Sequence, residues 1–229
     1  MLIIGHRGAG GLAPENTMAA MAAGITAGVD MLEFDVRLTK DQVPVAIHDG
    51  RLLRTHHLRD SVSSLTYEEL AKITASRPVP TLRQILDEYF GNVLLNIELK
   101  SRGSGQAVLA LLESHYITKS KDWDNVIISS FKGNELLAIR RQAPKANLAM
   151  LHGENPFIFV AYQRFVQFTA VGFHRLYLNR FALEIAKKAG IFIYVYTVDR
   201  PKALPLLQGQ GVEGVVTNYP DILRNELDK

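Results

Sequence analysis

Apolar residues along this chain fall into short β-branched runs separated by stretches in which they recur every three or four positions. The runs are Leu2–Ile4, Met31–Val36, Val93–Leu99, Val126–Ser129, Asn147–Leu151, Ala170–Phe173, Ile191–Val198 and Gly214–Thr217. They are too short for helices and are bounded by turn residues, so they read as eight strands. Alternating strand and helix calls for parallel pairing, and eight such units within 229 residues predict a closed (β/α)8 TIM barrel rather than an open sheet. The helix signals agree. Asn16 is the expected N-cap of a helix ending near Ala27, with Gly28 as its stop. Thr81 with Gln84, and Thr66 with Glu69, form capping-box patterns, and Asn179 opens a helix that Gly190 closes. Asp199, before Arg200 and Pro201, is the expected cap of the seventh helix.

Two stretches depart from the repeat. Thr39-Lys40-Asp41-Gln42 reads as a turn, so Val43–Ile47 is expected to fold back as a hairpin strand on the second strand and carry His48 and Asp49 over the barrel mouth. Residues from about 50 to 79 exceed what one connecting helix needs and read as a small capping insertion within a single barrel domain spanning 1–229.

With 47% of its residues apolar, a chain of this length buries ~70–75% of its unfolded surface, enough for one large core. No run reaches the ~20 apolar residues of a membrane span, and Leu2-Ile3-Ile4 enters a strand without a basic leader, which predicts an untargeted cytoplasmic protein. The sequence has no cysteine, which removes disulfides, thiolate catalysis and Cys-ligated zinc. A formal charge of +3 suits a small anionic substrate. With no basic block interleaved with aromatics, nucleic-acid binding is not expected. Oligomeric state is not encoded in these patterns.

In a barrel the carboxyl ends of the strands converge on one mouth, where active sites form. The residues expected there are His6-Arg7, Glu33 with Asp35, Glu98 with Lys100, Ser130-Phe131, His152, His174, Thr197-Val198-Asp199 and Thr217-Asn218. Side chains alternate across a strand, so Glu33 and Asp35 share one face while Leu32, Phe34 and Val36 take the other. Asn96, Glu98 and Lys100 share a face in the same way. Carboxylates held so close repel unless a cation neutralises them. Three of them, without cysteine or a zinc-type histidine pair, favour one hard divalent cation, Mg²⁺ or Ca²⁺. His6, beside Arg7, and His48, beside Asp49, are the expected proton carriers, since imidazole titrates near neutral pH. Arg7 suits bidentate capture of a phosphate, and Gly8 lets substrate approach the backbone. Glu15 either orients Arg7 or occupies a first helical turn that favours acid. His56, His57 and His115 are expected on the surface, and His152 and His174 lack a charged neighbour in a matching pattern.

A rival reading comes from Gly8-Ala9-Gly10-Gly11-Leu12-Ala13, a G-x-G-x-x-A fingerprint with Glu33 about twenty residues on, which would make the chain a doubly wound NAD-binding oxidoreductase. Pro14 and Asn16 put the helix start beyond those glycines, away from a pyrophosphate bound there, and the fingerprint leaves His48, Glu98 and Lys100 unexplained. The same strand-end residues would also suit a phospholipase-like phosphodiesterase barrel, or a barrel that only binds phosphorylated ligands.

The ordered set His6-Arg7-Gly8, Pro14-Glu15-Asn16-Thr17, Glu33-Phe34-Asp35-Val36, Val43-Pro44-Val45 through His48-Asp49, Ile97-Glu98-Leu99-Lys100, Ser129-Ser130-Phe131 and Thr217-Asn218-Tyr219-Pro220-Asp221 spans nearly the whole chain. It resembles the glycerophosphodiester phosphodiesterases, metal-dependent barrel enzymes. The resemblance implies that Glu33, Asp35 and Glu98 bind the divalent cation, that His6 and His48 are acid and base, and that Arg7 and Lys100 hold phosphate oxygens. It places Phe131 and Tyr196 against substrate. The implied reaction cleaves a small-molecule glycerophosphodiester to glycerol 3-phosphate and an alcohol, within glycerol and lipid metabolism. The chain departs from the family pattern where Tyr196-Thr197-Val198-Asp199 stands for the commoner Trp-Thr-Val-Asn, and where Thr217-Asn218 stands for Thr-Asp. The tyrosine is expected to reshape the wall beside the leaving alcohol. Asp199 is expected to cap as well as Asn does, and Asn218 to remove one negative charge.

Overall fold

The computed structural model describes residues 1–152, 155 and 157–228. Its strands are β1 (Leu2–Gly5), β2 (Met31–Leu38), β3 (Pro44–Ala46), β4 (Leu94–Leu99), β5 (Val126–Ser130), β6 (Asn147–His152), β7 (Ala170–His174), β8 (Phe192–Tyr196) and β9 (Gly214–Thr217). Its helices are α1 (Met18–Thr26), α2 (Leu53–His56), α3 (Tyr67–Ile73), α4 (Leu82–Tyr89), α5 (Ser104–His115), α6 (Gly133–Gln142), α7 (Ile158–Val166), α8 (Arg180–Lys188), α9 (Leu204–Gly209) and α10 (Pro220–Leu227). All strands but β3 run parallel and close into a barrel, β1 pairing with β2 on one side and with β9 on the other. The TIM barrel is therefore as expected, and its closure removes the doubly wound reading.

Strands covered on both faces need apolar side chains on both. Outward-facing Leu32, Phe34 and Val36 of β2 and Leu95, Ile97 and Leu99 of β4 pack in the main core with Leu82, Ile85 and Leu86 of α4 and Val108 and Leu112 of α5. Inward-facing Ile4, Met31, Ala149, Leu151, Ala170, Tyr194 and Val216 fill the barrel. Tyr194 fits inside because Gly172 on the neighbouring strand lacks a side chain; a Cβ there would lie 2.6 Å from the tyrosine ring.

The hairpin also forms as expected, over a shorter span: β3 lies antiparallel on the end of β2, with Val36 opposite Ala46. The segment between β3 and α4 packs on it through a separate apolar cluster of Val45, Ile47, Leu52, Val62, Leu70 and Val79. Both capping boxes are present, at Thr66 with Glu69 and at Thr81 with Gln84. Asn179 caps α8, and Gly190 follows it at φ 64°.

Two expected caps are not caps. Thr17, not Asn16, accepts the N-terminal amide of α1. Asn16 turns inward at φ 57° and is bound across the barrel mouth instead. Arg200, not Asp199, precedes the turn that begins at Pro201, because the Asp199 carboxylate is occupied by β9's exit loop. In both cases a buried polar partner outcompetes the exposed helix end.

Phe34 is fully buried between β2 and the helices. Phe34→Ala is expected to destabilise the fold by about 3–5 kcal/mol, read as the shift in urea midpoint at unchanged slope.

Candidate active site

The strand alternation that sends Leu32, Phe34 and Val36 to the helices turns Glu33 and Asp35 to the barrel axis, and the Asp35↔Glu98 register places Glu98 beside them. One oxygen from each of the three lies within 4.8 Å of the others. All three are buried, Asp35 at 1% exposure. Burial, then the charge of Asp35, pushes the Glu33 carboxyl up to about 8, and the same two causes push Glu98 up to about 8. Burial also works against Asp35, but Lys100 and Arg7 outweigh it and hold that carboxyl below its ordinary value.

The chain's own donors satisfy this cluster only in part. Lys100 Nζ lies 3.1 Å from Asp35 Oδ1 and also contacts Glu98 Oε1. Arg7 donates its backbone N–H to Glu33 Oε2 at 2.9 Å and brings Nε to 3.4 Å from Asp35 Oδ2. That amide is aimed inward because Arg7 sits at φ 53°, rare for a side-chain-bearing residue. Gly8 follows at φ 86°, where a Cβ would collide with the Ala20 backbone at 2.6 Å. Asn16 donates to Asp35 Oδ2 at 2.8 Å and accepts from the Asp35 amide. Glu33 Oε1 is left buried with no protein donor. Three carboxyl groups, two cations and one bare oxygen make a donor set suited to a hard divalent cation, whose charge would favour the ionised carboxylates, and all-oxygen ligation is what Mg²⁺ and Ca²⁺ take. A cavity of about 30 Å³ adjoins it, lined by His6, Glu33, Asn96, Glu98, Tyr194 and Tyr196 among others.

Each imidazole has a fixed partner at Nδ1. Asp199 accepts from the Asn218 backbone N–H at 2.8 Å and from its side-chain Nδ2 at 2.9 Å. The amide oxygen of Asn218 therefore faces His6 Nδ1 at 2.8 Å, so Nδ1 donates and Nε2 carries the lone pair. Burial, then Arg7, lowers the His6 pKa. His48 arrives on the hairpin with Nδ1 2.6 Å from Asp49 Oδ1. Burial lowers its pKa too, opposed by Asp35 and Asp49. From α2, Arg54 clamps Asp49 Oδ2 at 2.6 Å and Glu15 at 2.7 Å, and Glu15 accepts from Arg7 at 2.8 Å. A continuous polar chain thus runs from His48 to the carboxylate cluster.

Of the residues expected at the mouth, the structure brings together His6, Arg7, Glu33, Asp35, Glu98 and Lys100. His48 borders a different small recess, with Ile47 and His56. Phe131 is exposed with Lys100 Nζ 5.6 Å over its ring, and the Tyr196 ring meets it edge-on at 6.1 Å. Tyr196 OH donates to the His152 carbonyl, and His152 is buried between Phe159 and Phe173. Glu15 orients Arg7. His56 is not a free surface group, since its Nε2 meets the Arg77 carbonyl at 2.9 Å. Asp199 and Asn218, two separate departures in sequence, are one interaction in space. The carboxylate that Asn218 lacks is returned by Asp199 on the next strand's exit loop. Sequence reasoning missed Arg54 and Asn16 as members of this network. Arg54 had no signal, while Asn16 beside Glu15 in a motif was legible only as a helix cap.

The family model described as the glycerophosphoryl diester phosphodiesterase family matches residues 6–222. A glycerophosphodiester phosphodiesterase of Caldanaerobacter subterraneus subsp. tengcongensis is 32% identical over 100% of this chain and 98% of its own length. One from Bacillus subtilis is 28% identical over 97% of this chain and 85% of its own. Among solved structures, the glycerophosphodiester phosphodiesterase of Thermotoga maritima superposes with a TM-score of 0.86 at 26% identity, covering 98% of this chain and 97% of that one. An Oleispira antarctica phosphodiesterase solved with the product sn-glycerol-3-phosphate shares the fold, with a TM-score of 0.86 at 23% identity over 100% of this chain and 97% of that one. With nearly the whole chain matched in this way, it belongs to the glycerophosphoryl diester phosphodiesterase family and is an enzyme of that family.

Proposed function

We propose that the chain hydrolyses glycerophosphodiesters to glycerol 3-phosphate and an alcohol, with His6 and His48 as proton carriers and one Mg²⁺ or Ca²⁺ held by Glu33, Asp35 and Glu98. The observation that carries this reading is the buried three-carboxylate cluster with an oxygen that no protein donor reaches, next to two basic side chains and an imidazole. The Oleispira antarctica structure with glycerol 3-phosphate supports the product. The cation would neutralise charge growing on the phosphate's non-bridging oxygens.

Arg7 and Lys100, already at the cluster, orient the phosphate and add fixed positive charge where the transition state needs it. His6, with Nδ1 committed to Asn218 and its charged form disfavoured by burial and Arg7, takes the proton from the attacking oxygen. His48, with the Asp49 carboxylate behind Nδ1, is the group better able to carry the proton and give it to the departing alcohol. Phe131 and Tyr196 wall the substrate, and residues of about 50 to 79 cap the mouth, anchoring His48 through Arg54 and Asp49.

The direct assay is release of glycerol 3-phosphate from glycerophosphocholine, glycerophosphoethanolamine and glycerophosphoglycerol, with and without Mg²⁺ or Ca²⁺. Turnover should vanish in chelator and return with either ion; chelator-resistant turnover contradicts the metal assignment. His6→Ala and His48→Ala should each lower kcat by about 10²–10⁴-fold, and near-native kcat in both would remove the histidines from the mechanism.

Stability gives a second, independent readout. Glu33 and Glu98 hold their protons to about pH 8 when folded, against 4.5 when unfolded, so they contribute stability that is lost as pH rises toward and through 8. In chelator the thermal midpoint should therefore fall between about pH 7 and 8.5. Glu33→Gln should flatten the slope, and a wild-type midpoint that stays level would contradict it.

A further inference from the structure

Beside the carboxylate cluster, a second and much larger cavity of about 450 Å³ opens at the same end of the barrel. It is bounded by the turn after β2, the Ser61–Ser63 stretch, the loop after β4 and the residue after Phe131. Its lining includes Arg37, Lys40, Lys100, Arg102 and Lys132, and no carboxylate. Only Lys100 of these is committed, to Asp35 and Glu98. Among the described residues, no carboxylate oxygen lies within 4.0 Å of Arg37, Lys40, Arg102 or Lys132. Arg37 is half-buried and spends Nε on the His48 carbonyl at 2.7 Å. Lys132 Nζ reaches the Lys100 carbonyl at 3.5 Å. Arg37 is in the field of Asp35, Asp49 and Glu98, whereas Lys40, Arg102 and Lys132 stand exposed around the same concave space, so its rim is positive and favours entry of an anion.

Lys100 lines this cavity while its Nζ touches the carboxylate cluster, so an anion seated here lies one substituent away from a phosphodiester bound at Glu33, Asp35 and Glu98. The glycerol half of such a substrate is uncharged and offers nothing to these side chains. A diester has only one other substituent, the leaving alcohol. We propose that the basic cavity receives the leaving alcohol, and that the preferred substrates are glycerophosphodiesters whose second alcohol carries a phosphate of its own. The assignment rests on the phosphodiesterase reading above and adds a substrate class to it. A space of this size holds a small phosphorylated polyol, and guanidinium with ammonium is the pairing that phosphate recognition uses.

The test compares glycerophosphoinositol with glycerophosphoinositol 4-phosphate, which differ only in a phosphate on the leaving alcohol. The wild type should favour the phosphorylated ester by about tenfold or more in kcat/KM, mainly through KM. The double variant Arg102→Gln with Lys132→Gln should bring that ratio toward one while glycerophosphoinositol turnover is kept. Because the ratio is taken within one preparation, a misfolded fraction cancels. Equal kcat/KM for the two esters in the wild type, or a preference that survives in the double variant, overturns the proposal and leaves the phosphodiesterase reading standing. Equal kcat/KM together with a phosphate-induced rate change that the double variant loses assigns the cavity to free anion and likewise overturns it. Turnover of neither inositol ester by a preparation that still hydrolyses glycerophosphocholine overturns the proposal alone, and turnover of none of the three overturns the phosphodiesterase reading with it.

Discussion

Closing a parallel barrel forces Glu33, Asp35 and Glu98 onto one axis, and the surrounding site is organised around the repulsion that follows. Register leaves no choice: Asp35 pairs with Glu98 across β2 and β4, and the alternation that buries Leu32, Phe34 and Val36 under the helices turns the acids inward. A patch of this kind is stable only with compensating positive charge. Lys100 and the Arg7 amide and guanidinium supply part of it, and the rest matches a divalent cation. The left-handed Arg7 and the glycine after it are the backbone cost of delivering that amide.

Around this cluster the two imidazoles are held differently. His6 faces a neutral amide whose orientation Asp199 sets, while His48 faces a carboxylate that Arg54 pins. The asymmetry comes from two distant pieces of chain, β9's exit loop and the segment after the hairpin. It gives chemically identical side chains different partners at Nδ1, a neutral amide oxygen for His6 and a carboxylate for His48. Arg54 of the segment after the hairpin is the link through which His48, Glu15 and Arg7 share one polar chain.

Much of this was written in local pattern. The period-two alternation around Glu33, Asp35 and Glu98 reports both barrel strand and inward face, and the two capping boxes and Asn179 mark helix starts through contacts only a few residues long. What local pattern misread were Asn16 and Asp199, residues with strong capping preference that long-range partners claimed, 19 residues away at Asp35 and at Asn218. Arg54 carried no signal because its partners lie 5 and 39 residues away on other elements. The basic cavity was equally invisible: its cations are scattered over the end of β2, the turn after it and the loops after β4 and β5, and only the closed barrel gathers them.

The central claim is that these three acids grip a single ion. The most direct measurement is anomalous diffraction from crystals of the full chain soaked in Mn²⁺ as a stand-in for Mg²⁺ or Ca²⁺. The account predicts one strong peak within about 2.0–2.6 Å of oxygens from Glu33, Asp35 and Glu98, absent in Glu98→Ala crystals. A peak held by other residues, or none at the cluster at saturating Mn²⁺, would contradict it.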